Sequence, residues 1–453
     1  MTQHADEDRH QENLRRLNDA LEREAISEVY ALVRELHPAD VALLLESLPE
    51  GERDIVWSQL EPVSVAEVLA EADDAIRASH MRHMAPQALA AVAQEVDPDD
   101  AADILQDLPE PIADEVLQAM DEQHRERLEA VLAYPEDTAG GLMNVDVLTV
   151  RADVSLETVL RYLRRRGEIP ERTNRLFVVD RENAYVGMLR LADLLICDPD
   201  DSVESRIIDE RDPILATMAS HEVARLFEQR NLISAPVVDE AGRLIGRITV
   251  DDVVDVIRDE GEQTLMRMAG LDEEHDLFAP VLITSRRRML WLGVNLATAL
   301  LAAWVIGLFE ATIEKVVALA ILMPVVASMG GIAGSQTLTI VIRGMALGQV
   351  GRSNARWLLN REVMVGFINS LLWALVVALV ATYWFGWPAL GLIVGLALIV
   401  NLVIAAIVGT LLPLVMRKLM IDPALAGGVV LTTVTDVVGF VTFLGLGALF
   451  LVN

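Results

Sequence analysis

The chain holds 453 residues, more than one ordinary core accommodates, with 53% hydrophobic residues, 23% charged residues and a net charge of −31. That charge is divided: residues 286–453 carry ten Lys/Arg against five Asp/Glu, leaving 27 against 63 in the remainder. The acidic part, at −36, excludes a nucleic-acid binder, which needs clustered Lys/Arg; the single Cys197 excludes a disulfide framework and Cys-based zinc or iron–sulfur sites.

Residues 1–16 are polar and charged, so no signal peptide is expected and the acidic part is expected to stay in the cytoplasm. Residues 1–135 read as all helix, with apolar positions three and four apart, as in Val41, Leu44, Leu45 and Leu48. An ungapped repeat at an offset of 60 pairs Pro38 with Pro98, Asp40 with Asp100, Leu48 with Leu108, Pro49 with Pro109 and Asp54 with Asp114. The expectation is an acidic, superhelical stack of repeated helices.

The texture changes over residues 136–258. Leu176-Phe-Val-Val-Asp180 and Ala235-Pro-Val-Val-Asp239 read as short strands, each followed by a turn, a second strand and a helix opened by Asp193 or Asp252. Two copies, 136–199 and 200–258, make a tandem α+β module; a connecting helix over 259–285 follows.

From residue 286 onward five apolar spans are expected, at 289–309, 316–345, 363–385, 390–415 and 423–451, each near the ~20 residues a bilayer requires. Basic residues cluster on one side: Arg286, Arg287, Arg288, then Arg343, Arg352, Arg356, Arg361, then Arg417 and Lys418, against Lys315 alone on the other. That bias puts the N-terminal part inside, Asn453 outside, and Trp384 and Trp387 in an outer aromatic belt.

Asp436 is the one carboxylate well inside a span, and no Lys or Arg lies deep in any span to pair with it. Either it forms a cation site on a pore-lining face with Thr432 and Gly439, or it is protonated and bonded between helices. Pro324, Gly330, Gly331 and Gly334 in the second span fit a helix, a break and a second piece beside a cavity, or close helix packing. Asn369 and Asn401 read as interhelical hydrogen-bonding residues; Glu362 reads as a vestibule charge or a partner of Arg361. The absence of deep basic residues argues against anion transport, and the absence of a GxxxxGK[ST] loop against a nucleotide-driven pump.

These motifs together resemble one family. The paired strand–turn–strand–helix units resemble tandem CBS domains. The order of helical repeat, CBS pair, connecting helix and five spans resembles the MgtE family of magnesium channels. The specific motifs are Asp137-Thr-Ala-Gly-Gly141-Leu-Met143, Thr249-Val-Asp-Asp252-Val-Val-Asp255, Pro324 with Gly330-Gly-Ile-Ala-Gly334-Ser-Gln336, Asp422-Pro-Ala-Leu and Thr435-Asp436. The resemblance implies a homodimer in a bacterial inner or plasma membrane, with one pore on its axis and no enzymatic activity. It implies that Asp436, with the Thr432 carbonyl as a second contact, holds a hydrated Mg²⁺. It further implies that Glu67, Asp99, Asp103, Gly141, Asp252, Asp255, Glu260 and Asp422 bind regulatory Mg²⁺, which holds the helix over 252–271 and closes the pore. CBS pairs of this kind can also bind ATP, for which Thr249 and Asp252 have the ribose-contacting spacing, while Arg190 replaces that threonine in the first copy. The chain departs from the family at Ile332, Ser335, Gln263 and Thr264, with Glu262 as a substitute acid, and at His221, Glu228 and Asn231. His80 and His83 lie three apart on a helix without a third ligand. Two rival functions stay open: a Na⁺- or H⁺-coupled divalent-cation carrier, and a membrane-bound sensor that conducts nothing.

Overall fold

The fold is multidomain: a helical N-terminal part, an α+β pair, and five long apolar helices. The computed structural model describes residues 2–170, 172–208, 213–271, 278–351 and 353–451. Arg352, Asn453 and the side chain of Arg287, all used above for orientation, lie outside the described residues, as do 272–277 of the connecting segment.

The N-terminal part comprises helices α1 (Thr2–Glu22) through α10 (Glu122–Leu132). The repeat is physical. Pro38 and Pro98 open α3 (Pro38–Glu46) and α8 (Pro98–Gln106), where a missing N–H costs nothing, and Pro49 and Pro109 sit at the N-caps of α4 (Glu50–Trp57) and α9 (Glu110–Ala119). Each amphipathic helix turns one apolar stripe inward. Leu44, Leu45, Leu48 and Val56 fill one core; Ile104, Leu105, Leu108 and Val116 fill the next.

The α+β pair consists of two three-stranded sheets of identical topology, β1-β2-β3 and β4-β5-β6. In the first, β1 (Thr149–Arg151) runs parallel to β2 (Arg175–Val179), which pairs antiparallel with β3 (Tyr185–Arg190). The second repeats this with β4 (Ile214–Leu215), β5 (Ser234–Val238) and β6 (Leu244–Thr249). The predicted strand pairs are thus present; β1 and β4, too short to leave a pattern, were not anticipated. Each hairpin is turned by an aspartate. Asp180 accepts from the amides of Glu182 and Ala184, and Asp239 from those of Ala241 and Arg243. The two turns meet: the Tyr185 amide donates to the Gly242 carbonyl and the Leu244 amide to that of Asn183. Asn231, at φ 52°, ends α13 (Ser220–Arg230) in the left-handed region, a backbone role that accounts for an asparagine there.

Helix α14 (Val250–Met268) follows β6 directly and runs unbroken through position 258. Thr249 and Asp252 form its cap: the Asp252 carboxylate accepts the Thr249 amide at 2.8 Å and the Thr249 hydroxyl at 3.1 Å.

Five helices are long and apolar enough to cross a membrane: α15 (Val281–Gly307), α17 (Val317–Ala346), α18 (Ala355–Phe385), α19 (Pro388–Lys418) and α20 (Pro423–Leu451). The short α16 (Glu310–Lys315) joins the first two. α19 is the most enclosed and packs against α17, α18 and α20, whereas α15 and α18 present most of their surface outward. Of the two readings of the second span, a broken helix or close packing, the break is absent: α17 is one continuous helix through Pro324. Two of its glycines, Gly330 and Gly334, serve packing. Gly334 lies against Leu431 of α20, and its carbonyl stands where a side chain on Gly409 of α19 would come within 2.9 Å.

Candidate functional site

The groove around Asp436 arises from two helical faces. On α17, Ser328, Gly331, Ile332, Ser335, Gln336 and Thr339 recur at three- and four-residue intervals, so they form one stripe. On α20, Thr432 and Asp436 lie one turn apart. Together these residues line an open cavity of about 920 Å³. Asp436 is half-buried and has no ion pair or hydrogen bond among the described residues. The Thr432 hydroxyl donates to the carbonyls of Gly428 and Val429, and the Thr432 carbonyl accepts from the Thr435 hydroxyl at 3.0 Å. The carbonyl expected as a second ion contact is therefore already used within the helix. Ile332 and Ser335, the two departures noted above, both face the cavity.

Gly439 does not join Thr432 and Asp436 on the groove wall. It is buried against Asn401 of α19, which also lies against Gly330 of α17. The spacing of Gly439 was right for a shared face, but a helix that packs on two sides hides part of it. Glu362 is buried on α18 and pairs with Arg361 at 2.5 Å, the second of the two readings offered for it.

A second set of carboxylates gathers between α8 and the start of α14. Asp99, Asp100 and Asp103 come from α8, and Asp251 and Asp252 from α14. Asn144 reaches in from the α+β pair, its amide donating to Asp99 at 3.3 Å. Burial and then the Asp252 charge hold Asp99 well above the usual carboxylate range. Burial, with Asp97 next, pushes Asp100 up to about 6. Burial pushes Asp103 up to about 7 against the opposing pull of Arg77, and burial with Asp251 pushes Asp252 up to about 7. Arg77 pairs outside the cluster, with Asp107 at 2.6 Å and Asp74 at 2.5 Å, and Arg172 pairs with one of its members, Asp251, at 2.5 Å. The carboxylates thus repel one another in a partly dry place, a situation that a divalent cation relieves. Among the described residues no three His, Cys, Asp or Glu side chains stand close enough to chelate one ion. A cation that fits here keeps part of its water, as Mg²⁺ does.

The remaining predicted residues do not gather in that cluster. Glu67 is exposed on α5 (Pro62–Glu71), and Glu260 is exposed on α14. Asp255 is exposed and lies 3.9 Å from Arg258. Gly141 is buried, where a side chain would meet the Pro135 carbonyl at 2.6 Å. Asp422 caps α20 by accepting the Ala424 amide at 2.8 Å, and its other oxygen pairs with Arg267 of α14 at 3.2 Å. Arg267 also donates to Gln263, one of the departing positions. Asp100 and Asn144, absent from the sequence-based set, belong to the cluster; the repeat partner Asp40 was the available signal for Asp100. His80 stacks on Trp57 with ring centroids 4.3 Å apart; burial lowers its pKa to about 4, as expected of a core histidine rather than a ligand.

Comparison with known proteins matches this architecture in order. The profile of the MgtE intracellular N domain matches residues 36–137, that of the CBS domain residues 139–203 and 216–259, and that of the MgtE divalent cation transporter residues 323–446. The magnesium transporter MgtE of Thermus thermophilus is 32% identical over 446 residues, covering 96% of this chain and 98% of the relative. The magnesium transporter MgtE of Bacillus subtilis is 27% identical over 426 residues, covering 94% of each. The solved cytosolic domain of the Mg²⁺ channel MgtE in complex with ATP is 33% identical, with a TM-score of 0.49 over 54% of this chain and 99% of that one. By its domain order and its near-full-length likeness to these transporters, the chain belongs to the MgtE family of divalent cation transporters.

Proposed function

We propose that the chain is a homodimeric Mg²⁺ channel of a bacterial inner membrane, closed by Mg²⁺ on its cytosolic side. The observation that carries the reading is the cavity between α17 and α20, where one unpaired carboxylate, Asp436, shares the lining with Ser328, Ser335, Gln336, Thr339 and Thr432, set among alanine, glycine and isoleucine. Hydroxyls and amides suit the water shell of an ion, and a single carboxylate per chain binds weakly enough to release it. Two copies facing each other double that charge. Residues 286–453 form the conducting part, with the cytosolic side at the N-terminal end and the C-terminus outside.

Closure is the task of the acidic parts, 1–135 and 136–258, joined to the pore by 259–285. Asp99, Asp103 and Asp252, with Asp100, make the compact arrangement costly until a divalent cation offsets their repulsion. Glu67, Asp255, Glu260 and the Gly141 backbone act at the margins of that site. Asp422 acts by anchoring α14 through Arg267.

A second ligand, ATP, is supported at one place. The Thr249 hydroxyl and Asp252 carboxylate converge within 3.1 Å at the start of α14, as ribose recognition requires, while Arg190 pairs with Asp193 at the corresponding place in the first module.

The test is Mg²⁺ flux into liposomes that hold the purified protein, with no other cation gradient. Wild type should conduct and fall silent as Mg²⁺ rises on the cytosolic face; Asp436→Ala should lose about 100-fold or more of the flux, the scale of removing a required buried charge. Flux only with Na⁺ or H⁺ supplied would replace the channel with a coupled carrier, and unchanged flux in Asp436→Ala would remove the carboxylate from the path.

A further inference from the structure

Behind the groove, where α17, α19 and α20 meet, stands Asn401. Its side chain is 0% exposed, in the middle of a helix otherwise lined with apolar residues. Its amide nitrogen donates to the main-chain carbonyl of Val326 on α17 at 2.9 Å. Its amide oxygen has no hydrogen-bond partner among the described residues. Burying half an amide unsatisfied at membrane depth costs free energy that a leucine would avoid.

Two glycines make the arrangement possible. A side chain on Gly330 of α17 would collide with the Asn401 amide, and one on Gly439 of α20 would come within 2.9 Å of the same nitrogen. Both places are one step from the cavity wall. Val326 is followed by Ala327 and Ser328, which line the cavity, and Gly439 lies one turn beyond Asp436. Asn401 therefore fixes the distance of closest approach between the helix that carries the hydroxyl wall and the helix that carries the carboxylate.

We infer that Asn401 is a positioning residue that sets the width of the cation path at the level of Asp436, and with it the discrimination among divalent cations. The inference rests on the reading of Asp436 as the cation site. Outer-sphere recognition depends on the spacing of ligands across a hydrated ion, and Ca²⁺ carries a larger, looser shell than Mg²⁺, whereas the shell of Co²⁺ is close in size to that of Mg²⁺. A change in helix spacing of a few tenths of an ångström thus alters which ion passes before it alters whether any ion passes.

The experiment is liposome flux of Mg²⁺ in competition with Ca²⁺ and with Co²⁺, for wild type, Asn401→Leu, Asn401→Ser, Asn401→Ala, Gly330→Ala and the double variant Gly330→Ala with Asn401→Ala, next to Asp436→Ala. Asn401→Leu should conduct while its Mg²⁺-to-Ca²⁺ ratio moves about threefold to tenfold, the effect of one interhelical hydrogen bond. Asn401→Ser, which keeps a small donor, should restore part of the ratio. Gly330→Ala should disturb the ratio alone and be relieved when Asn401 is trimmed, because the clash needs both partners. Wild-type ratios in Asn401→Leu and Asn401→Ser overturn the inference, as does strict additivity of Gly330→Ala and Asn401→Ala. Should Asn401→Leu fail to fold, the serine variant and the glycine pair decide alone. Full flux in Asp436→Ala refutes the underlying site; silence there with unchanged ratios in the Asn401 variants refutes only this inference.

Discussion

Asp103→Asn should tighten the contact between α8 and the α+β pair at neutral pH, not loosen it. The Asp103 carboxyl is raised from 3.8 to about 7, so its ionised form is disfavoured in the folded arrangement. That rise corresponds to a ceiling of about 4 kcal/mol, and relaxation around a partly buried group brings the expected value to about 1–3 kcal/mol. The sign is set by the raised pKa. Below about pH 4 the carboxyl is protonated in both folded and unfolded chains, and asparagine and aspartate behave alike. From about pH 4 to about pH 7 the unfolded chain ionises first, wild type loses stability, and the gap in favour of the variant opens; above about pH 7 it is constant. Mg²⁺ should close the gap by stabilising wild type and leaving the variant nearly unchanged. Hydrogen exchange of peptides over residues 98–106 in the full chain, corrected for intrinsic rates, reads the local opening free energy. Slower exchange in the variant at about pH 8 without Mg²⁺, and equal exchange at about pH 4, are the expected results. A variant that exchanges faster at about pH 8, or a difference that ignores both pH and Mg²⁺, would refute the account of crowded carboxylates.

Other consequences follow from named contacts. Arg77→Ala removes a buried guanidinium that pairs with the half-buried Asp107 and the exposed Asp74 and should cost about 1–3 kcal/mol, read as a lower midpoint in denaturant unfolding. Gly409→Ala pushes a methyl group toward the Gly334 carbonyl and should cost about 1–3 kcal/mol, visible as a lower melting temperature in detergent. Arg267→Ala removes a part-exposed ion pair, worth below about 1 kcal/mol, and a hydrogen bond to Gln263, whereas Asp422→Ala removes the same ion pair and the cap of α20. The aspartate variant should therefore melt lower by about another 1 kcal/mol; equal melting would deny the capping role.

How much of this was legible beforehand depended on whether the signal is local. Hydropathy marks all five spans, because a bilayer imposes length and composition on each helix separately. The paired strands are equally visible, since Asp180 and Asp239 repeat the same turn chemistry. What faces a residue across a helix boundary has no such mark. Spacing put Gly439 with Asp436, and only the position of Asn401 on α19 moves it to the packing side. A proline and three glycines read as a break or as close packing, and neighbours that fit against Gly330 and Gly334 keep α17 whole. The family resemblance put Asp422 among the regulatory ligands, and its pairing with Arg267, 155 positions away, left no mark in the sequence. Charge crowding lay between these cases: the acidic composition announced it, but the convergence of Asp99 with Asp252 required the fold.

Helix α18 has 31 residues, which at 1.5 Å each gives about 46 Å, against a hydrocarbon layer of about 30 Å. Its first two turns carry Arg356 and the Arg361–Glu362 pair, so they reach the headgroup level and the excess length is absorbed there or by tilt. Because α18 presents most of its surface outward and packs on α19 along the rest, its inclination is passed to the helix that carries Asn401. On the channel reading proposed above, bilayer thickness becomes a variable of the cation path: lipids with shorter acyl chains should tilt α18 further and shift Mg²⁺ flux in liposomes.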